Sequence, residues 1–154
     1  PLHHANSLLL QHLHFIQLQG KNDFIRRYMN YLSHNEFGLN HKPWNNPINF
    51  DDLNSTNYWL EQWCFFYQDI LKKYQSYNNC FFIIYEELTN QNYIKMLLEK
   101  INLNKIEYLN LNYFKNSNKK KIDTYYDKNI YENAKDIYIE FKNKSYKKKI
   151  YEKF

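Results

Sequence analysis

A serine near the start of the chain has the position of a phosphate ligand. Ser7 stands six positions after Pro1, where hydrophobic spacing typical of a helix begins. Backbone N–H groups in the first turn of a helix have no partner within the helix, and a hydroxyl beside them can help to bind a phosphate group. Ser7 is therefore a candidate phosphate ligand. The alternative is an ordinary residue near a helix start.

A second candidate follows the apolar run Cys80–Ile84 in the stretch "CFFIIYEEL". A continuous apolar run of this length predicts a strand that is buried on both faces. Tyr85 would then stand at the carboxyl end of the strand, where ligands bind in open α/β sheets. The alternative is a buried tyrosine whose hydroxyl bonds locally. Glu86 and Glu87 resemble a catalytic pair, but we expect them to cap the strand or the next helix.

Basic residues are concentrated in the C-terminal third of the chain. The net charge is +5, and residues 101–154 hold 13 Lys or Arg against 7 Asp or Glu. Lys119, Lys120 and Lys121 form a basic run in "FKNSNKKKID". This pattern predicts either a solvated lysine-rich surface or a face for an anionic ligand.

Cysteine and histidine spacing argues against a metal site or a disulfide framework. Cys64 and Cys80 have no CxxC partner. His12 and His14 lie two positions apart on one predicted helix, so they point in different directions and do not share a metal. His4 and His12 would share a face, but they are more than a turn apart. We expect surface or helix-packing histidines and no metal.

Two further absences limit the function of the chain. Gly20 and Gly38 are its only glycines, so it contains no glycine-rich phosphate cradle. No run of 18 apolar residues exists, so we expect no membrane segment in this chain.

Hydrophobic spacing predicts a largely helical chain with one strand. Gly20 is predicted to end the first helix, and Asn22 is predicted to cap the start of the second. Residues 35–50, which include Trp44, are predicted to form a long loop. A strand buried on both faces needs neighbours, so the expected fold class is α/β, with one domain over residues 1–154. The predicted helices cover about 3–19, 22–32, 55–74, 92–101 and 127–142.

These motifs together resemble the sulfotransferases that use 3′-phosphoadenosine 5′-phosphosulfate. In that family a strand ends in Arg-(Asn/Asp)-Pro, a serine follows six positions after the proline, and a later strand ends in Tyr-Glu-Asp-Leu. Pro1 and Ser7 match the first motif, and the run Tyr85–Leu88 is similar to the second. Trp59 and Trp63 precede it, as tryptophans commonly do in the family.

The resemblance implies a three-layer fold of the P-loop type, of which this chain would be the C-terminal half. Ser7 would hold the 3′-phosphate of the nucleotide, Tyr85 would line the nucleotide site, and Lys119, Lys120 and Lys121 would lie in a loop that closes over it. The family's arginine would stand two residues before Pro1, and its general base also lies upstream. We expect the isolated chain to be inactive.

The implied reaction moves a sulfuryl group to a hydroxyl or amine of a carbohydrate or small-molecule acceptor. The resemblance implies no metal, no nucleic-acid partner and a cytoplasmic protein. The loop 35–50 is the expected element on the acceptor side. Two alternatives remain open: a non-catalytic helical interaction domain with a basic C-terminal region, and another P-loop transferase.

Overall fold

The computed structural model describes residues 1–44, 52–74, 76–77, 80–103 and 125–145. They fall into two compact units. The first contains Pro1–Ser76 and the described part of Lys121–Tyr138, and the second contains the described residues of Tyr77–Lys120 and Ile139–Phe154. The helices are α1 (Leu2–Lys21), α2 (Asp23–Tyr31), α3 (Thr56–Tyr74), α4 (Gln91–Lys100) and α5 (Lys128–Lys144), with a 3₁₀ helix over Tyr85–Thr89.

The core of the first unit forms where α1 packs against α2 and α3. Helix α3 carries most of it, because its large side chains recur at helical spacing. Tyr58, Leu60 and Trp63 are among its buried residues, and Ala5 and Leu9 of α1 are buried as well. The helix predicted over 55–74 is confirmed by α3.

Side-chain caps fix several helix starts. The Asn22 side chain accepts hydrogen bonds from the backbone N–H groups of Phe24 and Ile25, at 3.0 and 3.4 Å, so the predicted cap of the second helix is confirmed. Asp127 caps α5 in the same way. Gly20 does not end the first helix, which continues to Lys21, and the helix ends only where Asn22 becomes extended.

The second unit contains the 3₁₀ helix, α4 and the last residues of α5. Ile84, Ile94, Leu97 and Phe141 are its buried apolar residues. The 3₁₀ helix packs against α4, whose N-terminus is capped by the Asn90 side chain. The Phe82 ring lies edge-on against Phe141, with ring centroids 4.5 Å apart.

The predicted buried strand over Cys80–Ile84 is wrong, and so is the α/β, three-layer P-loop fold class built on it. Among the described residues there is no strand, and the segment makes one isolated parallel bridge, from Phe82 to Ser145. Cys80 is exposed and Ile83 is 48% exposed, whereas a strand inside a sheet needs hydrogen-bonded neighbours on both sides. The described part of the chain is helical.

In the ranges that the structure describes, none of the helices combines the length and the apolar character needed to cross a membrane.

Candidate functional site

The first unit contains a cavity of about 550 Å³, walled by α1, α3 and the segment that follows α2. This volume is typical of small-molecule sites. We call it the aromatic cavity, because six of its lining residues are aromatic: Phe37, Trp44, Trp59, Trp63, Phe66 and Tyr67.

Hydrogen bonds hold the two buried tryptophans of α3 in place. The Trp63 indole N–H donates to Nδ1 of His4 on α1, at 3.2 Å. The Trp59 indole N–H donates to the carbonyl of Leu53, at 3.0 Å. Since a buried indole N–H needs a partner, these bonds fix the ring orientations and turn the apolar ring surface towards the cavity.

Two buried polar side chains of α1 hold the segment 33–44 that forms one cavity wall. The Gly38 backbone N–H donates to Nδ1 of His12, at 3.2 Å, and the Leu39 N–H donates to Oε1 of Gln19, at 2.6 Å. The Gln19 amide nitrogen contacts Sδ of Met29, at 3.1 Å. We call this arrangement the loop clamp, and it joins the segment to both α1 and α2.

Gly38 is required at its position in the loop clamp. Its φ of +86° lies in the left-handed region that favours glycine, and a Cβ there would lie 2.2 Å from Oε1 of Gln19. Gly20 differs, because a Cβ added to it would meet nothing within 4 Å. The backbone at position 38 therefore requires glycine, whereas the space around position 20 would accept a side chain.

The histidine beside the loop clamp has both ring nitrogens engaged. Nδ1 of His41 lies 2.8 Å from the Glu36 carbonyl, which can only accept, so Nδ1 carries the proton. Nε2 then accepts from the Tyr58 hydroxyl. Burial raises the pKa of Tyr58 to about 12, which keeps this donor protonated.

Burial keeps His12 of the loop clamp and the neighbouring His41 neutral. His12 is 1% exposed, and its burial, together with the neighbouring His41, lowers its pKa from 6.5 to about 4. Burial also lowers the pKa of His41, although hydrogen bonds from its ring to the backbone of Glu36 and Asn35 oppose this. Both rings are therefore uncharged at neutral pH.

One buried polar atom at the aromatic cavity has no partner. The Trp44 backbone N–H donates to Oε1 of Gln62, at 2.8 Å, which fixes the orientation of the Gln62 amide because an N–H donates only to the oxygen. Gln62 is 6% exposed, and its Nε2 makes no hydrogen bond to any residue that the structure describes. A native buried donor of this kind calls for an explanation.

A second cavity, of about 320 Å³, lies between α3 and the start of α5. Three of its lining side chains are amides and one is a carboxylate, so we call it the polar cavity: Glu61, Gln68, Asn129 and Asn133, with Cys64, Phe65 and Ile130 beside them. Burial and the nearby Asp127 raise the pKa of Glu61, whose Oε2 has no partner. Burial also raises the pKa of Cys64 to about 11, so its thiol is protonated and unreactive.

Ser7 and Tyr85, two of the residues predicted from the sequence to bind the nucleotide, do not line either cavity. Ser7 is exposed on α1, in the second turn rather than the first as predicted, because the helix already begins at Leu2. Tyr85 is 61% exposed in the second unit, at the start of the 3₁₀ helix rather than the end of a strand. Lys119, Lys120 and Lys121 lie outside the described residues. The roles of all five remain predictions.

The described residues include no group of three or more His, Cys, Asp or Glu side chains that could hold a metal ion. Two histidines that line the aromatic cavity accept hydrogen bonds within the fold: Nδ1 of His4 accepts from the Trp63 indole N–H, and Nε2 of His41 accepts from the Tyr58 hydroxyl.

Sequence reasoning missed His12, Gln19, Gly38 and Gln62 as elements of a site. A signal was present on α1, where Ala5, Leu9, His12 and Gln19 form one buried stripe at helical spacing. Two polar residues in an otherwise apolar stripe indicate buried hydrogen bonds to another segment. The partner segment could not be identified, since it lies 20 to 26 residues further along the chain.

No protein-family model, curated protein sequence or solved structure matches this chain.

Proposed function

We propose that this chain is part of a sulfotransferase that uses 3′-phosphoadenosine 5′-phosphosulfate and an acceptor hydroxyl or amine. The observation that carries this proposal is the position of Ser7 relative to Pro1 together with the exposure of its side chain. It follows Pro1 by the spacing found in the family, and its side chain is exposed while Ala5 and Leu9 beside it are buried. The Ser7 hydroxyl is therefore not used in the core and can reach a ligand.

The second support is the order of two motifs in the sequence: an aromatic helix, followed by the run Tyr-Glu-Glu-Leu. Trp59 and Trp63 are buried in the core of the first unit, and Tyr85 is the first residue of the run, with its ring exposed. Both supports are matches in sequence, because the strand that precedes the Tyr-Glu-Asp-Leu run in the family is not found among the described residues.

In the proposed reaction, an acceptor oxygen or nitrogen attacks the sulfur of the nucleotide in line with the leaving group. A new bond forms between the acceptor and sulfur as the bond from sulfur to the bridging phosphate oxygen breaks. The acceptor loses its proton to a base, and adenosine 3′,5′-bisphosphate leaves. Positive charge would stabilise the transferring group, as in phosphoryl transfer. The base remains unassigned.

Ser7 would contribute to nucleotide binding by donating its hydroxyl to the 3′-phosphate. We expect Ser7→Ala, in the protein as its gene encodes it, to weaken binding of adenosine 3′,5′-bisphosphate by about 0.5–3 kcal/mol, measured by isothermal titration calorimetry. Ser76→Ala is the matched control, because Ser76 is also exposed and bonds only to the Lys73 carbonyl in its own turn. An unchanged affinity in Ser7→Ala would remove Ser7 from the site.

A second candidate function is a non-catalytic helical interaction domain. The helical character of the described residues favours it, and so does the basic excess of residues 101–154. It predicts salt-sensitive binding to a polyanion such as heparin, with no preference for a nucleotide carrying a 3′-phosphate. The sulfotransferase proposal predicts that preference, so a competition titration separates the two.

A further inference from the structure

The aromatic cavity has the chemistry of a site for an uncharged ring compound. Its walls present the ring surfaces of Trp59, Trp63 and Phe66, which offer a large area for stacking and burial. Its lining charges, Glu36 and Lys42, are opposite in sign and both are exposed. The described walls therefore supply no net charge that would select an anion or a cation.

The unpartnered amide of Gln62 adds a specific requirement. Nε2 can only donate, and Oε1 is already occupied by the Trp44 N–H. A ligand with an acceptor oxygen would satisfy this buried donor, whose unpaired state costs free energy in the free protein.

Trp44 is the wall residue best placed to adjust when a ligand enters. Its side chain is 50% exposed and stands edge-on against Phe66, with centroids 4.8 Å apart. Because Gln62 Nε2 is shielded from solvent, a ligand reaches it only if the wall moves, and we expect the half-exposed Trp44 indole to be the part that moves. The loop clamp holds the rest of the wall through His12 and Gln19.

From these observations we infer that the aromatic cavity binds a flat, uncharged, aromatic small molecule that carries a carbonyl or hydroxyl oxygen, with its ring against the Trp44, Trp63 and Phe66 rings and its oxygen on Gln62 Nε2. As a deepening of the proposed function, a molecule of this class that carries a hydroxyl group is the sulfuryl acceptor. That role rests on the proposed function, whereas the binding itself does not.

The test uses coumarin, a planar lactone without an ionisable group, and the full chain. We expect saturable binding of coumarin by calorimetry, weaker binding of the charged coumarin-3-carboxylate, and no binding of N-acetylglucosamine. The site would be refuted if coumarin does not bind, or if the sugar binds in its place.

Two substitutions locate the ligand within the cavity. Gln62→Glu keeps an oxygen for the Trp44 N–H but removes the donor, and we expect coumarin binding to fall about 3- to 10-fold. Gln68→Glu is the control, because it makes the same change on the same helix but faces the polar cavity. Equal losses in both variants, or no loss in either, would remove Gln62 from the site.

Trp44→Ala gives an independent result if Gln62→Glu does not fold. Trp44 is half exposed and its backbone bond to Gln62 survives the substitution, so the variant should fold, which circular dichroism checks. We expect coumarin binding to fall at least about 3-fold with the loss of the stacking surface. Wild-type affinity in Trp44→Ala would place coumarin elsewhere.

Binding and transfer are then separated with 7-hydroxycoumarin and 3′-phosphoadenosine 5′-phosphosulfate in the gene-encoded protein. If this probe binds at the cavity and is sulfated, both proposals hold. Binding at the cavity without sulfation contradicts the acceptor role. Sulfation that Trp44→Ala and Gln62→Glu leave unchanged supports the enzyme but overturns the cavity as its acceptor site.

Discussion

The aromatic and polar cavities lie along the same helix, α3, and are lined by consecutive residues, Gln62 and Glu61. Both residues carry a buried atom without a hydrogen-bond partner. In the aromatic cavity the atom is a neutral amide nitrogen. In the polar cavity it is an oxygen of a carboxyl group beside a second carboxylate, Asp127. The first arrangement leaves a neutral donor unpaired among the described residues, and the second is an electrostatic cost of folding.

The two cavities also differ in how their walls are held. The wall of the aromatic cavity depends on the loop clamp, in which α1 holds the segment 33–44 through buried polar side chains. At the polar cavity, the Asp127 backbone N–H donates to Oδ1 of Asn57, at 2.7 Å, which joins the start of α5 to α3. Disrupting the loop clamp should therefore change the aromatic cavity and leave the polar cavity intact.

The largest effect is expected at Gly38. Gly38→Ala would force a side chain into the left-handed region and place its Cβ against Gln19, so we expect a loss of at least about 3 kcal/mol in the free energy of unfolding, measured by urea denaturation. Gly20→Ala is the control, and it should stabilise the chain by about 0.5–1 kcal/mol because Gly20 lies in open space within α1. Equal effects at both positions would contradict the loop clamp.

The next effect is a pH dependence that arises from His12. Its pKa is about 4 in the fold and 6.5 in the unfolded chain, so the unfolded state binds more protons between these values. Stability should be constant above about pH 6.5, fall by about 2–3 kcal/mol as the pH drops to about 4, and then level off for this group. The lowered pKa of His41 acts in the same direction.

Denaturation across this pH range, in wild type and in His12→Gln, isolates the His12 contribution. The glutamine can still accept from the Gly38 N–H but does not titrate. A pH dependence that is identical in the two proteins would show that His12 is not held neutral by the fold.

The smallest effect is expected in the polar cavity. The raised pKa of Glu61 means that its ionisation at neutral pH opposes folding, so Glu61→Gln should raise the free energy of unfolding at pH 7 by up to about 1 kcal/mol. The gain should disappear at acid pH, where the carboxyl group is protonated in both states. A loss of stability at pH 7 would mean that the Glu61 charge has a favourable partner.

The sequence predicted the helices well and the strand badly, for a physical reason. The large side chains of helix α3 recur with a clear 3.6-residue period. Asparagine is a preferred residue at the start of a helix, because its side chain can accept hydrogen bonds from free backbone N–H groups, and Asn22 does so. The run Cys80–Ile84 has no period, and an apolar run alone does not distinguish a buried strand from other apolar segments. The structure leaves Ile83 half exposed there.

The cavities could not be predicted from the sequence, because they depend on contacts between residues that are far apart along the chain. Trp59 and Trp63 are predictable as buried from their spacing. That Trp63 bonds to His4, 59 residues earlier in the chain, follows only from the packing of α1 on α3. The loop 35–50 was predicted as the acceptor-side element, and its described part, up to Trp44, does line the aromatic cavity.

The most direct test of the proposed sulfotransferase compares two nucleotides on the gene-encoded protein. Titration calorimetry would measure the affinity for adenosine 3′,5′-bisphosphate and for adenosine 5′-monophosphate, which differ only in the 3′-phosphate. We predict tighter binding of the bisphosphate, with the difference reduced in Ser7→Ala. Equal affinity for the two nucleotides, or no binding of either, would contradict the proposal and favour the helical interaction domain.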